Sequence, residues 1–254
     1  TGNDAPTFIY GTDLTFKWRP VENFRGWPVG VRQTEALERD YTAAAFTAGA
    51  NIHRSRGFGQ GFDVYRHGHE LERAREWLAG PHLQPFFVFF HTYAVHDPYL
   101  PPAAWIDRLA PDARSPLRDE VGRLRAGVEG GWENAHRRFW AAVDKGNPAD
   151  VSSVSQLYDA AVGAMDEAIV KSLLDDLDAR GLADSTLVVL TSDHGEAFGE
   201  HGNFLHDDLY RETLRVPLIL RLPDRLPAGR RVEGRAPLLD LLPTLLHVAG
   251  VTAP

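Results

Sequence analysis

The sequence predicts an α/β fold, a mostly parallel sheet sandwiched by helices. Short runs of unbroken apolar residues recur along the chain, as strands covered on both faces require. Stretches with helical periodicity lie between them, and that alternation gives layered α/β architecture. The chain has 254 residues, 43% apolar and 24% charged, enough to bury one large core or two small ones.

In chain order, the weakest strand candidate is Pro6-Thr-Phe-Ile-Tyr10, followed by a clear one at Thr42–Thr47. A helix is expected over Glu70–Leu78 and a strand over Pro85–Phe90, where four phenylalanines flank Val88. Residues 101–150 hold Trp105, Trp132 and Trp140 among charges, Pro and Gly without a strand pattern. They read as an insertion or lid within a single domain spanning 1–254. The longest helix is expected from Ser153 to Arg180, with Leu157, Ala161, Met165, Ile169, Leu173 and Leu177 at four-residue steps. Its acidic residues are the solvated face, and Gly181 is placed as a C-cap. Strands at Ser185–Thr191 and Val216–Arg221 and a helix at Leu238–Val248 complete the pattern.

A net charge of -8, spread along the chain, argues against nucleic acid or an anionic membrane as partner. A small anionic substrate remains compatible if a metal ion and a few His or Arg residues reverse the local field. With no cysteine there are no disulfides or thiolate metal sites. The longest apolar run near the C-terminus is broken by Asp240 and Pro243, short of the ~20 residues that span a bilayer. Thr1-Gly-Asn-Asp-Ala-Pro has no basic or apolar leader pattern and no Met, so truncation or processing upstream is expected. Compartment and oligomeric state have no signal.

Chemistry concentrates at Thr191-Ser-Asp-His-Gly-Glu196, directly after an apolar strand. Ligands of open α/β sheets bind outside the carboxyl ends of strands, which is where Asp193 and His194 stand. Adjacent polar residues there also serve as turn formers or caps. Glu196, Glu200, His201 and His206 follow on a loop punctuated by Gly195, Gly199 and Gly202. A carboxylate with an imidazole suits several divalent metals, and further ligands must come from elsewhere. A second loop, from His91 to Tyr99, places His96 before Asp97-Pro98 at a strand end, either bonded to a carbonyl or facing an anion. Arg54 and Arg56, beside Gly57-Phe-Gly-Gln-Gly61, either clamp an acidic group or are merely solvated.

Together these segments resemble the sulfatases, of the alkaline-phosphatase-like superfamily. The resemblance is carried by Gly181 through Glu196, Glu200-His-Gly202, Arg215-Val-Pro-Leu-Ile219, Tyr41–Phe46, Gly61–Tyr65, His96–Tyr99 and Leu239–Thr244, in the family's order. It implies that Asp193 and His194 are metal ligands and that His96 and His206 contact the sulfate. It further implies a bound calcium, or magnesium or manganese. Histidine at 194, where many sulfatases have asparagine, looks like the branch of phosphonate and phosphate ester hydrolases. The family's Cys/Ser-x-Pro/Ala-x-Arg nucleophile motif is not found; Ser115-Pro-Leu-Arg118 has the wrong spacing, and Asp13 is a candidate ligand after a degenerate first strand. The chain is therefore expected to be incomplete at its N-terminus. Three readings follow: a sulfate ester hydrolase, a phosphate or phosphonate ester hydrolase, and a non-catalytic relative that binds metal or anions.

Overall fold

In the computed structural model, which describes residues 7–11, 41–81, 85–127 and 129–250, the apolar runs become one six-stranded sheet. Its strands are β1 (Thr7–Gly11), β2 (Thr42–Thr47), β3 (Val64–His67), β4 (Phe86–His91), β5 (Thr186–Thr191) and β8 (Leu218–Arg221), in the order β3-β2-β4-β1-β5-β8. The first five are mutually parallel, and β8 runs antiparallel to β5 with Val188 opposite Arg221. The weakest sequence candidate, β1, is central, pairing Ile9 with Val88 on one side and with Val188 on the other. A central strand draws its stability from two neighbours, so its own five residues need carry little signal. Strand β3 was not expected: Val-Tyr-Arg-His is short and half polar, as an edge strand can be.

These strands belong to the first of two compact units, residues 1–92, 173–193 and 217–254. Ala43, Ala44 and Ala45 of β2 are buried, and helix α1 (Glu70–Ala79) packs there, its Trp77 set edge-on to Phe86 at 5.5 Å. Helix α7 (Leu241–Val248) buries Leu241 and Leu245 with Leu187 and Val189 of β5. Helix α6 (Lys171–Ala179) ends as expected at Gly181, whose φ of 66° suits glycine and lets Leu182 N–H donate to the Leu177 carbonyl at 2.9 Å.

The second unit, residues 93–172 and 194–216, is largely helical: α2 (Ala103–Leu109), α3 (Ser115–Ala126), α4 (Gly131–Ala141) and α5 (Pro148–Met165). Its core joins Tyr99, Leu117, Val121, Phe139, Val154 and Leu157. The long helix differs from expectation at its start and in its middle. It begins at Pro148, because Asn147 caps it by accepting from Ala149 N–H at 2.9 Å and Pro148 occupies the first turn. A π turn at Asp166–Val170 separates α5 from α6. Four-residue steps overshoot the 3.6-residue turn, and a π turn takes up an extra residue, rewinding that drift. Helices α2 to α4 were masked in the sequence by their mixed charge, and only their buried stripes, such as Leu117, Val121 and Leu124, reveal them.

Candidate functional site

Three histidines from the two segments of the second unit, 93–172 and 194–216, converge. One ring nitrogen each from His96, His194 and His206 lies within 4.8 Å of the others. The rings of His194 and His206 stack at 3.9 Å, and His96 stands edge-on to His206 at 5.3 Å.

His96 is set by the loop beyond β4. Its Nδ1 donates to the Asp97 carbonyl at 2.8 Å, and Trp132 Nε1 donates to the same oxygen at 2.8 Å. The Asp97 carboxylate, buried at 3% exposure, accepts from His136 Nδ1 at 2.5 Å and from Trp140 Nε1 at 3.3 Å. Asp97 thus ties the His96 loop to α4. Trp132 is 55% exposed, its ring 6.2 Å from that of His96.

His194 follows the carboxyl end of β5, and its Nδ1 donates to the Gly195 carbonyl at 2.8 Å. Gly195 is required by a close backbone approach: its N–H donates to Thr213 O at 2.7 Å, and a Cβ there would lie 2.0 Å from Glu212 O.

His206 is positioned by a hairpin of β6 (Ala197–Phe198) and β7 (Phe204–Leu205). Ala197 faces Leu205 and Phe198 faces Phe204, so the next pair outward is Glu196 with His206. His206 Nδ1 donates to Glu196 Oε1 at 3.1 Å. That bond raises the imidazole above its ordinary range against the opposing effect of burial, with the charges of Glu196, Asp207 and Asp97 adding to it. Burial, together with the Glu196 and Asp97 carboxylates, pushes the neighbouring Tyr99 phenol far up, so it stays protonated.

Tautomers follow from these partners. A carbonyl only accepts, so His96 and His194 carry a proton on Nδ1, and their neutral forms hold the lone pair on Nε2. His206, paired with a carboxylate, favours the imidazolium. The cluster therefore offers two nitrogen lone pairs of metal-ligand type and one cationic donor. Asp193, immediately before His194, closes the 173–193 segment of the first unit. Asp13 lies outside the described residues.

Other loop residues expected near the chemistry serve the hairpin. Glu200 Oε2 accepts from Phe198 N–H at 2.6 Å, and His201 stacks on Tyr210 at 3.8 Å with Glu212 3.4 Å from its Nε2. Sequence reasoning missed Asp97, Trp132 and His136 as supports of His96, since His136 lies 39 residues from Asp97 with no motif linking them. Glu196 was noted only as a nearby carboxylate; hairpin register is the signal that assigns it to His206.

The family model described as Sulfatase matches residues 59–251. An N-acetylglucosamine-6-O-sulfatase of Bacteroides thetaiotaomicron is 33% identical over 155 residues, covering 58% of this chain and 28% of that protein. The multifunctional alkaline phosphatase superfamily protein PehA of Trinickia caryophylli is 28% identical over 194 residues, covering 72% of this chain and 38% of its own length. The chain thus spans roughly a third of the length of these curated relatives. Among solved structures, BT4656 in complex with its substrate D-glucosamine-2-N,6-O-disulfate superposes with TM-score 0.63 at 20% identity, covering 87% of this chain and 61% of that one. The phosphonate monoester hydrolase of Agrobacterium radiobacter does so with TM-score 0.64 at 18% identity, covering 87% and 58%. The alkaline-phosphatase-like α/β fold is shared with both, and the match over residues 59–251 places this chain in the sulfatase family.

Proposed function

We propose that the chain carries one wall of a metal-dependent sulfate ester hydrolase, with Asp193 and His194 as metal ligands and His96 and His206 as contacts to the ester's oxygens. The supporting observation is the convergence of the three imidazoles, each with Nδ1 committed to an acceptor so that Nε2 is the working atom. A bound divalent ion would supply Lewis acidity toward an ester oxygen. His206, held cationic by Glu196, donates its Nε2 proton to a non-bridging oxygen and offsets charge that builds up in the transition state. His96 performs the same task when protonated, because its Nδ1 proton is already given to the Asp97 carbonyl. Helix α4 acts as part of a lid formed by residues 101–150, its exposed Trp132 forming an apolar wall beside His96 for the alcohol portion of the ester. Calcium, the ion implied by resemblance, prefers six to eight oxygens and needs donors beyond Asp193, for which Asp13 is the candidate; manganese and zinc tolerate the imidazole better. The BT4656 complex supports a sulfated sugar as substrate.

A phosphate or phosphonate ester hydrolase is the second reading. It is favoured by His194 in the place where many sulfatases have asparagine, and by the likeness to the phosphonate monoester hydrolase and PehA. Calorimetry with calcium, manganese and zinc on the wild type, Asp193→Ala and His194→Ala tests the metal site. Stoichiometric binding lost in both variants is expected, and a folded wild type that binds none of the three ions would sink the proposal. Parallel assays with aryl sulfate, phosphate and phosphonate esters then choose between the readings.

A further inference from the structure

A second group of basic side chains collects in the first unit, at the carboxyl ends of β2 and β3. The rings of His53 and His67 stack at 3.8 Å with 25° between their planes. Ser55 N–H donates to His53 Nδ1 at 3.2 Å, and a backbone amide cannot accept, so the neutral His53 ring carries its proton on Nε2. Among the described residues, the buried His67 Nδ1 has no hydrogen-bond partner. The pair is therefore two stacked imidazoles, with an N–H donor at His53 Nε2.

Arginines surround it. Arg54 lays its stem over Gly59, where a Cβ would approach Arg54 Cγ to 2.8 Å, and Arg73 Nη1 donates to the His67 carbonyl at 2.5 Å. Burial first, then the charges of His53, Arg73 and Arg54, hold His67 below the ordinary imidazole range. Among the described residues, no carboxylate forms an ion pair with His53, Arg54 or His67. In a chain of net charge -8, a basic cluster around two stacked imidazoles, with no paired carboxylate among the described residues, is matched by a doubly charged tetrahedral oxyanion.

Topology gives the cluster a relation to the proposed chemistry. In the order β3-β2-β4-β1-β5, the ends of β2 and β3 share the carboxyl edge with the end of β5, which leads into Asp193. Three to four strand spacings of about 4.8 Å separate them, roughly 14 to 19 Å along that edge.

We infer that His53, Arg54 and His67, backed by Arg73, form a subsite for a second sulfate or phosphate group of an extended, multiply charged substrate. That the group belongs to the same substrate rests on the ester-hydrolase reading; that the cluster binds an oxyanion does not.

The test is NMR of the protein carrying 13C-labelled histidine, titrated with sodium sulfate against sodium chloride of equal ionic strength. Saturable shifts of the His53 and His67 ring signals are expected, with at least tenfold weaker binding in Arg54→Ala and in His53→Ala, both exposed positions whose truncation spares the core. Sulfate shifts no larger than those from chloride, or confined to His96, His194 and His206, overturn the subsite. A second comparison uses two oligosaccharides, one bearing a single sulfate and one bearing sulfates on well-separated sugars. Tenfold tighter binding of the latter, lost in Arg54→Ala, is expected; equal binding overturns the assignment to substrate. Failure of the metal site would show separately, in the Asp193 and His194 calorimetry.

Discussion

Asp97 carries more of the candidate site than any residue of the Asp-His-Gly motif. Its carbonyl holds His96 and Trp132 while its buried carboxylate holds His136 and Trp140. Asp97→Ala leaves both donors facing a cavity, and a loss of about 2 to 4 kcal/mol in urea unfolding is expected. Asp97→Asn keeps the shape but turns an amide toward one donor, and should cost about half as much. Gly195 is the other sensitive position. Gly195→Ala drives a methyl into the Glu212 carbonyl, so the variant is expected to lose metal affinity in calorimetry as the His194 backbone shifts. The three histidines that converge, His96, His194 and His206, were legible as candidates because local motifs surround them. The supports of His96 were not, because a hydrogen bond across 39 residues leaves no periodic trace.

Helix packing in the second unit turns on small and charged positions that a hydrophobic pattern does not rank. Gly163 of α5 faces Trp105 of α2, and a Cβ would come within 2.3 Å of that indole. Gly163→Ala gains about 1 kcal/mol of helix propensity yet forces the ring to move, so a net loss of about 1 to 3 kcal/mol in thermal unfolding is expected. Between α3 and α4, Glu120 is buried and accepts from Arg123 and Arg138, each at 2.7 Å. Burial alone would raise its carboxyl, but the two arginines outweigh that and hold it below the ordinary carboxylate range. A depressed folded-state value means the stabilisation is complete above the unfolded carboxyl's value, near pH 4, and is lost as pH falls through the lower folded value. Glu120→Gln should therefore destabilise at pH 7 and converge with the wild type in acid, which urea unfolding across that range would reveal. The helices of residues 103 to 141 were unreadable from sequence for a related reason: their apolar stripes are narrow, and the charges that flank them, Glu120 among them, are themselves internal.

At the scale of the molecule, the parallel sheet was legible because β2, β4 and β5 are dense apolar runs, whereas β1 and β3 depend on neighbours distant in the sequence. Metal linkage belongs here too. An ion at a hundred times its dissociation constant should add about 2.7 kcal/mol to unfolding, and the increment should vanish in His194→Ala. Among the described residues no helix is long and apolar enough to cross a membrane. Finally, β1 sits between β4 and β5, with Thr7 registered against Thr186. Strand β1 must wait for a partner encoded about 175 residues further along the chain, while β4, about 80 residues on, flanks it on the other side much sooner. A nascent chain halted before Thr186 would hold β1 as an open edge, so the interval between translating those two strands is when this protein is most exposed to pairing with another copy of itself.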